Sequence, residues 1–175
     1  MIRKATLADR PAIAQLIKDS ARSLSRADYS DEQIEGAIAT VFGVDTNLIV
    51  DGTYFVADCA GMLIGCGGWS KRKTLFGGDQ YSTRDPGELD PETEAAKIRA
   101  FFIHPDHARK GIARAILAKC EAAAKAAGFQ SLELMSTLPG IKLYRACGYE
   151  EAGRTDLQVG EGLTIGLVPM RKELK

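Results

Sequence analysis

Arg109, Lys110 and Arg114 surround Gly111 and Ala113 where an apolar run, Phe101-Phe102-Ile103, gives way through His104-Pro105-Asp106-His107 to a helical pattern opening at Ile112. The chemistry this spacing supports is anion binding. A strand that feeds a helix through a tight turn leaves the first N–H groups of that helix unpaired and directed outward. Together with the helix dipole and three cationic side chains, those donors form a seat for a diphosphate. Gly111 lets the backbone approach the anion closely, and Ala113 is too small to obstruct it. Tyr144 is a second candidate. A phenol with pKa near ~10 stays protonated at neutral pH and is available as a proton donor. By spacing alone, Tyr144 reads first as a packing residue near the end of a short helix.

The run Ala108-Arg109-Lys110-Gly111-Ile112-Ala113 resembles the coenzyme A pyrophosphate loop of the GNAT superfamily of N-acetyltransferases. That loop reads Arg or Gln, two residues, Gly, one residue, Gly or Ala. Gly111 and Ala113 match the small positions, while Ala108 stands at the Arg/Gln position and Arg109 one place later. Leu143-Tyr144-Arg145-Ala146-Cys147-Gly148-Tyr149-Glu150 is similar to the family's second signature, a Leu/Phe-Tyr pair followed shortly by Gly-Phe/Tyr. The resemblance extends over nearly the whole chain, and its motifs cover Phe101–Glu150.

The resemblance implies an acyl-CoA-dependent N-acetyltransferase that uses acetyl-CoA as co-substrate, without a metal, and transfers the acetyl group to a primary amine by direct attack. Arg109, Lys110, Gly111, Ile112, Ala113 and Arg114 would hold the diphosphate. Main-chain groups of Phe101, Phe102 and Ile103 would line the pantetheine arm and acyl group, their side chains being core. Thr137, where many relatives carry Asn, would bond the arm, and Tyr144 becomes the general acid. A non-catalytic acyl-CoA-binding domain is the alternative; the presence of Tyr144 favours the enzyme. The acceptor is a small-molecule or peptide amine, and a homodimer stays open.

No base is evident. Many relatives have Glu in the strand before the phosphate loop, whereas Lys97-Ile98-Arg99-Ala100 has no carboxylate. Asp79, Glu88 and Glu94 are candidates that read as solvated loop charges, and His104 and His107 as turn residues. Trp69 and Tyr81 are candidates for the acceptor pocket or for packing.

Lysine plus arginine and aspartate plus glutamate both number 23, so charge gives no reason to expect nucleic acid or an anionic membrane as partner. No apolar run approaches the ~20 residues of a membrane span, and the N-terminus lacks a signal-peptide stretch. Cys59, Cys66, Cys120 and Cys147 lack metal or redox spacing and read as buried free thiols in a cytoplasmic protein.

These side chains need a frame. Ile2–Ala5 reads as a strand, and Asp9 with Pro11 as the start of a helix. Ser30-Asp31-Glu32-Gln33 is a capping box opening a second helix. Thr53–Cys59 and Met62–Trp69 form a hairpin, with Gly65-Cys66-Gly67-Gly68 marking a bulge or a close approach. Lys71–Glu94 is a polar insertion expected to shape the acceptor site. Ala96–Ile103 is the strand before the phosphate turn, followed by a helix ending at Gly128. Ser131–Ser136 is a strand, Pro139–Cys147 a helix, and Tyr149–Leu157 and Leu163–Met170 are the last strands. The order β-α-α-β-β-β-α-β-α-β-β predicts one α/β domain over residues 1–175, a mixed central sheet of about seven strands with helices on both faces. It is also the order of the GNAT fold. A Rossmann-type nucleotide enzyme fits poorly because no G-x-G-x-x-G follows the first strand.

Overall fold

The computed structural model describes all residues, Met1–Lys175. Its strands are β1 (Ile2–Lys4), β2 (Tyr54–Cys59), β3 (Met62–Ser70), β4 (Ala96–Ile103), β5 (Ser131–Thr137), β6 (Glu150–Glu151), β7 (Thr155–Gly160) and β8 (Leu163–Glu173). The helices are α1 (Arg10–Leu24), α2 (Asp31–Thr40), α3 (Thr46–Val50), α4 (Ile112–Ala126) and α5 (Ile141–Ala146). The strands lie in the order β1-β2-β3-β4-β5-β8, and β6 and β7 share the outer edge of β8. All neighbours are antiparallel except β4 and β5. The expected mixed α/β sheet is therefore present, with two differences. Tyr149–Leu157 is not one strand: it breaks into β6 and β7 around Gly153, whose φ is +112°. The short helix α3 is additional.

Each helix is where its apolar face dictates. Ile13, Leu16 and Ile17 of α1 and Leu48 of α3 pack with Tyr54, Val56 and Cys66 on one side of the sheet. Ile116, Leu117, Cys120 and Ala124 of α4 cover the other side, against Ile98, Leu132 and Leu134. The buried stripe of α4 thus runs through Leu117 and Ala124, and Ala127 is exposed. Ser30 and Gln33 form the expected reciprocal cap of α2. Asp9 does not cap α1 with its side chain; it binds Arg3 at 2.8 Å and the Thr6 N–H at 2.7 Å. Cys66 and Cys120 are buried free thiols as expected, whereas Cys59 is exposed at the hairpin end and Cys147 only half-buried. No helix is long and apolar enough to cross a membrane.

Two irregularities position the site. In β4, Arg99 pairs with Gly68 and Phe102 with Cys66, so β4 spends one residue more than β3 over that interval. The extra residue bulges at Ala100, whose φ of +55° lies in the left-handed region. Its carbonyl turns into the core and accepts from the Tyr54 hydroxyl at 3.2 Å and the Cys66 thiol at 3.6 Å. Before the bulge is reached β4 already leaves β5: the two strands are in register only at Ala96–Leu132 and Lys97–Glu133. The sheet opens from there toward the phosphate turn.

The insertion is tied down by a buried ion network. Arg99 donates to the carbonyls of Thr74 at 3.1 Å and Gly77 at 2.6 Å and pairs with Asp45 Oδ2 at 2.8 Å. Asp45 Oδ1 meets Arg84 and accepts from the Asn47 N–H at the start of α3. Gly78 N–H donates to the Val41 carbonyl at 2.8 Å, and a Cβ on Gly78 would lie 2.6 Å from the backbone of Gly43. Only glycine permits that approach. Removing one partner of a buried ion pair leaves the other charge uncompensated. Asp45→Ala is therefore expected to cost about 3–5 kcal/mol, read as a lowered urea midpoint.

Candidate active site

The sheet opening continues as a cleft of about 630 Å³. This is the size of a small-molecule site. The cleft follows β4. At one end are Arg109, Gly111, Ala113 and Arg114, in its middle Phe101, Phe102 and Ile103, and by the insertion Arg99, Phe76, Gly77 and Gly78. Thr137 and Tyr144 line it from the β5–α5 side. Every site residue expected from the sequence faces this cleft except Lys110, which is exposed beside it.

Gly111 caps α4 in a left-handed conformation, φ +82°, and the first backbone bond of the helix runs from Ala115 N–H to the Gly111 carbonyl. The N–H groups of Ile112, Ala113 and Arg114 precede it and have no intrahelical partner. A Cβ on Gly111 would meet nothing within 4 Å, because it would project into the open seat. Lys142 of α5 also lines the cleft, a third cation beside Arg109 and Arg114. Arg109 has φ +61°, a conformation that costs a non-glycine residue about 1–2 kcal/mol. Arg109→Gly is expected to stabilise the free protein by about 1 kcal/mol while weakening coenzyme A binding. Thermal melts and calorimetric titration separate the two effects.

Tyr144 is held by edge-on contacts with Phe101 at 6.2 Å and Tyr149 at 5.7 Å. Arg84 Nε is the sole buried polar side-chain atom without a partner, so the Tyr144 hydroxyl, which bonds to no protein group, opens on the cleft. Burial pushes its phenol well above the ordinary value, helped by the nearby Cys120 and Cys147 thiols. Tyr144 is thus protonated throughout the neutral range.

A model of the acetyltransferase (GNAT) family matches residues 13–149. The chain belongs to the GNAT family. It is an N-acetyltransferase by membership, and its mixed sheet is the fold of that family. Among curated proteins no sequence match is found. Solved structures with the same fold include a GCN5-related N-acetyltransferase from Rhodopseudomonas palustris, with TM-score 0.73 and 17% identity over 99% of this chain and 95% of that one. A PaiA N-acetyltransferase from Thermoplasma acidophilum, solved with coenzyme A, gives 0.68 and 17% over 99% and 98%. A ribosomal-protein-alanine N-acetyltransferase from Brucella melitensis gives 0.64 and 22% over 99% of both chains.

In this GNAT enzyme none of the carboxylates weighed as bases reaches the cleft. Asp79 accepts from the Thr46 N–H at 2.9 Å, Glu88 pairs with Lys71 at 3.1 Å, and Glu94 accepts from the Asp90 N–H at 2.7 Å. His107 lines the phosphate end, in edge contact with His104 at 5.5 Å. Trp69 packs on Phe129 and Tyr81 on Phe76, and neither lines the cleft. The Gly65–Gly68 stretch lies opposite the bulge, which falls at Ala100 of β4. Reading the sequence missed Asp45, Arg84, Arg99, Lys142 and Ser20, whose hydroxyl accepts from the Ile103 N–H at 3.2 Å. A single arginine inside an apolar strand was the available signal for Arg99, since such a charge needs a buried partner.

Proposed function

We propose that the protein transfers the acetyl group of acetyl-CoA to a primary amine by direct attack, with Tyr144 as general acid. The observation that carries this is one continuous cleft. It joins a free helix N-terminus with flanking cations, the gap between β4 and β5, and a tyrosine hydroxyl without a protein partner. The diphosphate takes the N–H groups of Ile112, Ala113 and Arg114, with Arg109 and Arg114 as counter-charges and Lys110 adding to the field from outside. The pantetheine arm lies in the gap against the main chain of Phe101 and Phe102 and the Ile103 carbonyl, with Ser20 keeping the Ile103 N–H. Thr137 offers its hydroxyl to the arm.

The amine lone pair attacks the thioester carbonyl carbon, the C–S bond breaks, and the thiolate takes the Tyr144 proton. The nitrogen gives up its surplus proton to water, from which the phenol is recharged. Burial raises the phenol, and a desolvated thiol rises for the same physical reason, so the proton still has a base to go to when the thiolate leaves. No cysteine lines the cleft, which favours direct transfer over an acyl-cysteine intermediate.

Calorimetry with acetyl-CoA, followed by thiol release against pooled primary amines, tests this reading. Binding with amine-dependent release is the expected result. Binding with no release for any amine would leave an acyl-CoA-binding domain.

A further inference from the structure

The acceptor end of the cleft has a definite chemical character. Along β4, Arg109 and Arg114 lie past the C-terminal end, and Arg99 with Gly77 lies toward the start, so the acceptor enters by the insertion. Its walls there are Leu24, Val41, Phe42, Leu75 and Phe76, with the backbone of Gly43, Gly77 and Gly78 between them. The neutral hydroxyl of Ser25 completes the lining. No aspartate or glutamate lines any part of the cleft. The only ionic group at this end is the Arg99 guanidinium, and Asp45 stands behind it, 2% exposed, with both oxygens engaged by Arg99 and Arg84.

An ammonium ion entering this chamber would lose its hydration, find no counter-ion and face a cation of its own sign. Burial and like charge both disfavour the protonated form. Nor is there a carboxylate to take its proton before attack. The amine must arrive neutral, and for a given apolar body that favours the less basic nitrogen. On the acetyl-transfer reading above, we propose that the acceptors are apolar amines of low basicity, in which an α-carbonyl draws charge from the nitrogen, as in an α-amino amide. Polyamines and lysine-type alkylamines are excluded by the same chamber.

Phenylalaninamide and 2-phenylethylamine share one apolar body and differ in the α-carboxamide. Taking ~8 for an α-amine and ~10.4 for an alkylamine, the neutral fractions differ by about 200-fold at pH 7 and about 20-fold at pH 9. The experiment measures kcat/KM for both amines and for spermidine between pH 7 and 9, at saturating acetyl-CoA. For phenylalaninamide it should rise about tenfold and level off near the amine's own pKa; for 2-phenylethylamine it should still be climbing, by about 100-fold over the interval. Phenylalaninamide should exceed spermidine at every pH. One pH break common to both aromatic amines would reveal a base on the enzyme and overturn the proposal, and so would a preference for spermidine; acetyl transfer itself would survive either result. If acetyl-CoA binds but no amine releases thiol, the acetyl-transfer reading falls and takes this inference with it.

Discussion

Tyr144→Phe will bind coenzyme A as the wild type does and turn acetyl-CoA over ~10²–10⁴-fold more slowly, the usual range for loss of a general acid. The substitution is nearly isosteric. The Tyr144 ring keeps its contacts with Phe101 and Tyr149, and because the hydroxyl bonds to no protein group, its removal leaves no buried partner stranded. The effect therefore appears in kcat, with KM for acetyl-CoA and the melting temperature unchanged. Steady-state kinetics on an accepted amine check it. A variant within twofold of wild type would return Tyr144 to a packing role.

Gly111→Val will lose about 100-fold in coenzyme A affinity. Hydrogen bonds to a charged group contribute about 1.5–3 kcal/mol each, and losing one or two from the diphosphate reaches that figure. Two causes act together. A β-branched residue is strained at the Gly111 φ of +82°, so the turn rearranges. Its side chain would also project into the open space above Gly111, which the proposed binding mode gives to the diphosphate. Calorimetric titration of the folded variant decides this, and wild-type affinity would remove the helix N-terminus as the phosphate seat.

How much of this was legible in the sequence follows from how local each feature is. The phosphate turn is short-range: Ile103 to Arg114 sets its own geometry through Pro105, the glycine at 111 and the helical period after it. Thr137 and Tyr144 both face the cleft because Thr137 ends β5 and Tyr144 lies on α5, which follows after one short turn. Lys110 stands exposed beside the cleft because a turn of this kind directs alternate side chains to different sides, and residue type does not say which. The nearness of the insertion to β4 was legible, and Phe76, Gly77 and Gly78 do line the cleft. What holds it there was not. Asp45 and Arg99 are far apart in the chain, and their pairing exists only once α3, the insertion and β4 have met. The bulge at Ala100 was equally silent, because alanine carries no preference for the left-handed region that would mark it. The hairpin glycines hinted at the irregularity from the opposite strand. The last strand pair was read as simpler than it is, because Gly153 looks like any strand glycine until its φ is known.

The parting of β4 from β5 makes the middle of the sheet a seam closed at one end only. Two backbone pairs and the Lys97–Glu133 ion pair at 2.7 Å cross it there, over the core that α4 shares with both strands. Whatever occupies the gap supplies the rungs the polypeptide lacks, so on the proposed binding mode the acyl donor doubles as a structural member. A ligand that binds only the folded form at 100 times its Kd adds about 2.7 kcal/mol to stability. The heat tolerance of this enzyme should accordingly follow the donor concentration around it, with amide exchange slowing first along the open stretch of β4 and on the facing edge of β5.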